Sequence, residues 1–496
     1  MNYFANALRD EASVTTTENG AHVYSTTGNV LLDLFARIGG MRKAEAREVE
    51  AAWLRARDYD KELADNLILY TRDVRNGGIG ERRLGRIMLK LLALKDPAKV
   101  SRNLDTIVNA GRWDDLFVLE GTKVETEMME YLRKQFRQDI VSMGKKSKDV
   151  SLLAKWLPSA NTHSKETRRL ARKVYTYFGI SERVYRKTLS ALRAYIDVVE
   201  KKMSAQEFGA ITYEHVPSVA MTRYRSAFGR HDFERFDEYI KAVTRGDKKI
   251  NASVSYPYEF VMPYIKQASG WVRRITVDPV LEAQWKALPN FVEGEHNVVV
   301  MADVSGSMTT DNYKPMATSV SLGIYFAERN KGAYKDMLMT FTDTPTLYEL
   351  NPHETVADRV NKVMSHVGFN TDLDRALAKI YDVASRCGEA PSALVIISDG
   401  EIDAYCRQLE RYGSCAADIA EKWQRKYAAI GLQAPKLIMW NVESRGARYI
   451  AKKKNFGVSY ISGSSAATFK ELATLISMDA VTAMTEILSK PQFQWH

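Results

Sequence analysis

The chain has 496 residues, carries a formal net charge of +10, and is 45% hydrophobic and 27% charged, a composition expected of a globular protein of about two to four domains. No apolar stretch reaches the roughly 18 residues of a membrane-spanning helix, and Met1 to Asp10, with Asn2, Asn6, Arg9 and Asp10, lacks the apolar segment of a signal peptide. Three cysteines, Cys387, Cys406 and Cys415, without a Cys-x-x-Cys pair, argue against a disulfide framework or zinc knuckle and point to a reducing, cytoplasmic setting.

The first 290 residues read as consecutive helices. In Asn29 to Ile38 the apolar residues Leu31, Leu34, Phe35 and Ile38 recur at helical spacing, and Gly39-Gly40 closes the segment. Lys43 to Ala56, Lys61 to Asp73 and Glu81 to Leu94 follow, the last with Leu84, Ile87, Met88 and Leu91 as its buried stripe. The connector from Arg72 to Arg83 contains Gly77, Gly78 and Gly80, but no Gly-Lys-Ser/Thr ending and no preceding strand, so it is not a phosphate-binding loop. It is a flexible turn whose arginines either bind phosphate or pair with Asp73 and Glu81. Helices are predicted at Val124 to Ile140, Leu152 to Leu157, Glu166 to Phe178 and Ser181 to Met203, then on to about Lys241. Many helices with short connectors predict a HEAT-like α-solenoid. Ile250 to Pro263, with two prolines, reads as an extended link, and Trp271 to Leu288 as irregular and then helical.

Charge is concentrated within this half. From Val141 to Ala205 there are 15 Lys and Arg against 5 Asp and Glu, so the rest of the chain is near neutral. Such a block suits a polyanion. The candidate RNA-binding residues are Lys165, Arg168, Arg169, Arg172, Lys173, Arg183, Arg186 and Lys187. Arg168, Arg169, Arg172 and Lys173 share one helix face. Gly179 is a helix stop and Ser181 the next N-cap. Tyr175 is a candidate to stack on an unpaired base; Tyr177 and Phe178 are expected in the core. His163 has no second His or Cys nearby and is expected on the surface.

Past Pro289-Asn290 the pattern changes. Apolar runs at Val298–Ala302, Met337–Phe341, Leu347–Leu350, Ala393–Ile397, Leu437–Val442 and Val458–Ile461 alternate with helical patterns. This predicts an α/β, Rossmann-like domain with a mainly parallel sheet and a hairpin edge near Pro345. The domains are expected at 1–290 and 291–496. The first run ends in Asp303-Val304-Ser305-Gly306-Ser307. Gly368-Phe369-Asn370-Thr371-Asp372 comes later, and the fourth run ends in Asp399-Gly400-Glu401. Carboxylates and hydroxyls at strand tips are hard donors suited to Mg²⁺ or Mn²⁺.

This order, D-x-S-x-S, then Thr, then Asp, resembles the metal-ion-dependent adhesion site of von Willebrand factor A domains. The resemblance implies metal binding by Asp303, Ser305, Ser307, Thr371 and Asp399, with one position left for a partner's acidic group. Catalysis is not expected. Ser305 stands where a phosphatase would need a second acid, neither Ser305 nor Ser307 sits in a G-x-S-x-G nucleophile elbow, and His366 reads as a helix-end residue.

Further motifs widen the likeness: Asn19-Gly20-Ala21, Leu31-Leu32-Asp33-Leu34-Phe35, Arg72-Asp73-Val74-Arg75 with Gly80-Glu81-Arg82, Gly111-Arg112-Trp113-Asp114-Asp115-Leu116, Tyr185-Arg186-Lys187-Thr188-Leu189 and His215-Val216-Pro217-Ser218-Val219-Ala220. Together they resemble a viral and plant family related to the TROVE-domain proteins, the Ro autoantigen group. That resemblance spans nearly the whole chain. It implies a monomeric ring of HEAT-like helices closed by the A domain. It also implies binding of small structured or misfolded non-coding RNA, and a protein partner such as a nuclease engaged through RNA or the metal. Two alternatives remain open: a metal-dependent interaction adaptor without RNA, and a metal-dependent hydrolase.

Overall fold

The structure is a computed structural model that describes residues 13–17, 22–269, 275–292, 294, 296–368, 371–401, 416–452 and 457–496. Met1 to Asp10, Asn19-Gly20-Ala21, Phe369-Asn370, Cys406 and Cys415 lie outside those residues, as does the start of the Trp271 segment. The chain forms two compact units: Met1–Leu84 with Ala252–Gln494, and Gly85–Asn251 with Trp495–His496. Compactness therefore divides the chain differently from the change of sequence pattern at residue 290.

The first unit is built on a sheet. A short antiparallel pair, β1 (Val14–Thr16) and β2 (His22–Tyr24), precedes it. The main sheet comprises β3 (Val298–Asp303), β4 (Met337–Phe341), β5 (Leu347–Glu349), β6 (Ala393–Ser398), β7 (Lys436–Asn441) and β8 (Val458–Ser462), in the order β5-β4-β3-β6-β7-β8. All neighbours are parallel except the β4–β5 hairpin. The predicted apolar runs fall on these six strands. Every residue of β3 and β6 is buried, as a parallel sheet covered by helices requires. The helix Thr310–Arg329 packs on β3, and Leu373–Cys387 leads into β6.

Helices from the start of the chain belong to the same unit. Val30–Arg37 lies against β8: Ser462 Oγ donates to Phe35 O at 2.9 Å and accepts from Gly39 N at 3.0 Å. A Cβ on Gly39 would meet Gly463 N at 2.3 Å. The Gly39-Gly40 pair thus permits backbone to touch backbone as well as ending a helix.

The second unit is helical, from Pro97–Arg102 through Glu125–Gly144, Lys165–Phe178, Glu182–Tyr195 and Ser218–His231 to Phe233–Arg245. Gly179 caps its helix in the left-handed conformation (φ 71°), and Ser181 Oγ accepts from Val184 N.

Three element expectations need correction. Ile250 to Pro263 is not extended throughout, since Pro257–Ala268 is a helix with Pro263 inside it. Pro257 occupies the first turn, where its missing N–H is harmless, and burial of Phe260, Val261, Tyr264 and Ile265 overrides the interior proline. The segment Ser181 to Met203 breaks at Asp197, whose φ is +55°, into Glu182–Tyr195 and Val199–Ser204. The helical pattern expected over Ala467–Ile487 divides at Asp479, whose carboxylate caps Ala480–Leu488.

Candidate functional site

β3 has β4 on one side and β6 on the other. The chain leaves β3 in one direction and later builds in the other, so a crevice opens between the carboxyl ends of β3 and β6. Asp303 is the last residue of β3 and is fully buried. Its Oδ1 accepts from Ser305 N at 2.9 Å and its Oδ2 from Ser398 Oγ at 2.6 Å. The Ser305 and Ser307 hydroxyls lie 3.0 Å apart. Ser305 forms a parallel bridge with Gly368, where a Cβ would meet Thr342 Cβ at 2.7 Å. Glycine there lets the chain pass close against the residues that follow β4. Buried Thr371 donates its hydroxyl to Glu401 O at 2.6 Å. Asp399 follows β6, is buried, and its Oδ1 accepts from Glu401 N at 3.1 Å.

Asp303, Ser305 and Ser307 are thus joined directly. Asp399 is coupled to Asp303 electrostatically, and Thr371 meets the set through Glu401. Burial, reinforced by the Asp399 charge, pushes the Asp303 carboxyl up to about 7 against the opposing pull of Ser305 and Ser398. Two buried carboxylates in mutual repulsion, ringed by hydroxyls, are the condition a hard divalent cation relieves. Among the described residues no cluster of three or more His, Cys, Asp or Glu could hold a metal by itself. Any donor set here would have to draw on hydroxyl oxygens as well as carboxylates. Two arginines also enter this crevice. Arg445 Nη2 lies 3.3 Å from Asp399 Oδ2, and Arg448 pairs with buried Glu401.

The helical unit holds a second candidate. A cleft of about 1110 Å³ is lined by Lys155, Trp156, Ser159, Asn161, Thr162, His163, Arg183, Arg186, Lys187, Arg193 and Lys201, with Glu200 as its acid. Arg183, Arg186 and Lys187 are exposed there, with Arg186 3.7 Å from Glu182. Arg193 shapes the wall, donating to Ala154 O, Leu157 O and Ser159 Oγ at 2.8 Å each. The half-buried Trp156 ring carries the Arg112 guanidinium 3.9 Å from its centroid.

The other basic residues behave differently. Arg169 binds both carboxylate oxygens of Glu120, at 2.6 and 2.7 Å, and also pairs with Glu166. Lys173 pairs with Glu120 at 3.0 Å and with Glu125. The Arg169 hydrogen bonds, with help from Lys173, hold the Glu120 carboxyl down at about 2. Arg168 donates to Thr162 O at 2.9 Å, while Lys165 and Arg172 are exposed. Tyr175 packs beside Tyr185, Phe178 is buried, and Tyr177 donates to Thr126 O.

Comparison with known proteins places two family matches on the chain: a domain of unknown function, DUF2828, over residues 123–294, and a second, DUF7788, over residues 297–487. An uncharacterised protein, L728, of Acanthamoeba polyphaga mimivirus is 26% identical over 526 aligned residues, covering 96% of this chain and 87% of that protein. The crystal structure of the Deinococcus radiodurans Ro (RSR) protein aligns over 95% of both chains at 15% identity, with a TM-score of 0.37.

Sequence reasoning missed several residues at both places. Ser398 was visible as the hydroxyl before Asp399, but its bond to Asp303 needs the β3–β6 pairing. Arg445 and Arg448 lie more than forty residues from the acids they meet. Lys155, Trp156, Arg193 and Lys201 fall within the basic window, yet nothing in their spacing tells which of them share a cleft.

Proposed function

We propose that the chain is an RNA-binding protein of Ro-like type, whose helical unit takes RNA phosphates in the cleft beside Arg183, Arg186 and Lys187. The observation that carries the reading is the cleft itself: six Lys and Arg line it against Glu200 alone among acids. Such a surface neutralises phosphates and releases their counterions. The motif resemblance to the Ro group supports small structured or misfolded non-coding RNA as the ligand, and a HEAT-like arrangement of the helices. Under this reading the protein is a scaffold, not an enzyme. Sequencing the nucleic acid that copurifies with wild type and with an Arg183→Gln, Arg186→Gln, Lys187→Gln variant tests it. Enrichment of discrete non-coding RNAs by wild type alone is expected; equal nucleic-acid content in both defeats the reading.

The sheet unit is read as a von Willebrand factor A-like domain. Asp303, Ser305, Ser307, Thr371 and Asp399 would hold Mg²⁺ or Mn²⁺, which when bound supplies a Lewis-acidic position for a protein partner's acidic group. The gathering of these oxygens at the β3–β6 crevice supports that assignment.

A second reading, an interaction adaptor without RNA, draws on the pairing of Arg169 and Lys173 with Glu120, Glu125 and Glu166, which neutralises part of the basic block. Absence of RNA binding at low salt, with Mn²⁺ binding intact, selects it.

A further inference from the structure

The loop after β7 sends a cation into the crevice. Arg445 Nη2 donates to Ser307 O at 2.6 Å and sits 3.3 Å from Asp399 Oδ2. The Arg445 side chain is 21% exposed, and that of Asp399 is fully buried. The loop is anchored around this residue: Glu443 accepts from Thr310 Oγ1 at 2.7 Å, and Ser444 N donates to Gly40 O at 3.0 Å. The guanidinium is therefore held in place between the Ser307 turn and the tip of β6.

A carboxylate as deeply buried as Asp399 needs a positive partner. Arg445 is one. A divalent ion held by Asp399 and the Ser307 hydroxyl would stand within a few ångströms of that same guanidinium. Like charges at such a separation, away from bulk water, repel strongly. The two cations thus compete for one carboxylate.

We infer that Arg445 is a resident counter-ion of the cup, which a divalent ion must displace from Asp399. This rests on the reading of the cup as a metal site. Arg445 is then a positioning residue in two senses. It pairs with Asp399 in the ion-free crevice and holds it in place, and it sets how tightly the cup takes an ion. Ion uptake frees the guanidinium and loosens the Val442-to-Ile450 loop, so occupancy of the cup is reported at its rim.

The test uses the full chain with Mn²⁺ alone, followed by calorimetry and by hydrogen exchange of the Val442-to-Ile450 loop. Arg445→Gln should bind Mn²⁺ about tenfold more tightly than wild type, because the competing charge is gone. Its ion-free form should melt earlier. Arg445→Lys, which keeps the charge but loses the forked geometry, should fall between them and serves if the glutamine variant does not fold. In wild type, Mn²⁺ should speed exchange of the loop; in Asp303→Ala it should not. Unchanged or weaker Mn²⁺ binding by both Arg445 variants, with binding lost in Asp303→Ala, overturns the resident counter-ion and leaves the metal site standing. No Mn²⁺ binding by wild type or by any variant overturns both.

Discussion

The crevice at the sheet tips and the cleft of the helical unit both gather charge, but by opposite means. In the crevice the backbone decides. Two neighbouring strands end at Asp303 and Ser398-Asp399, so these polar groups are buried together whatever their preferences. In the helical unit most of the basic residues sit on helix faces, and whether one is available to a ligand depends on acids far off in the chain. Glu120 holds Arg169 from 49 residues away and Lys173 from 53. A short motif can therefore specify a buried cup, whereas a run of charge specifies only a region.

The sharpest way to break this contrast is to remove one place and watch the other. Asp303→Ala should weaken Mn²⁺ binding about 100-fold or more, since it deletes the central carboxylate of the proposed donor set. RNA affinity of the cleft should not change. Loss of RNA binding in that variant would show that the sites are not independent. The converse experiment, glutamine at Arg183, Arg186 and Lys187, should lower RNA affinity about 10- to 100-fold at physiological salt while leaving the melting temperature and Mn²⁺ binding alone.

A smaller effect is expected from Glu120→Gln. It releases Arg169 and Lys173 from their shared carboxylate, so RNA should bind a few-fold more tightly, with a steeper salt dependence. No gain in affinity would place that helix face outside the RNA footprint. The pH response separates the two places again. The folded-state pKa of Asp303 lies above its unfolded value, so the folded protein holds the extra proton. Its contribution is fully present below about pH 4 and is lost as pH rises toward 7. Ion-free protein should therefore lose stability across that window, Mn²⁺ should offset the loss, and Asp303→Asn should flatten the slope. Thermal melts at a series of pH values measure this. The smallest effect is local: Ser181→Ala removes an N-cap and should cost about 1 kcal/mol, with RNA affinity little altered.

The sequence carried much of the sheet unit. Six apolar runs fall on six strands, because strands buried on both faces, as β3 and β6 are, select mainly apolar residues. The D-x-S-x-S stretch falls at the end of the central one. Membership of Val30–Arg37 in the same unit was not legible, since its Gly39-Gly40 stop reads as punctuation until Gly463 is found against it. The helix Pro257–Ala268 was hidden by its prolines; only the burial of Phe260 and Tyr264 explains it. At the cleft, composition identified the right window. It could not separate Arg183 and Lys187, which line the cavity, from Arg169, which is spent on Glu120. That distinction lies in the packing of helices far apart in the chain.

The central claim is that phosphate is gripped by the cleft cations, and one measurement tests it most directly. The affinity of wild type and of the Arg183, Arg186 and Lys187 glutamine variant for a structured RNA is followed across a salt series. The account predicts a steep linear fall of log affinity with log salt for wild type, and a slope shallower by about 2 to 3 in the variant. Equal slopes for the two proteins, or no binding by wild type at low salt, would contradict it.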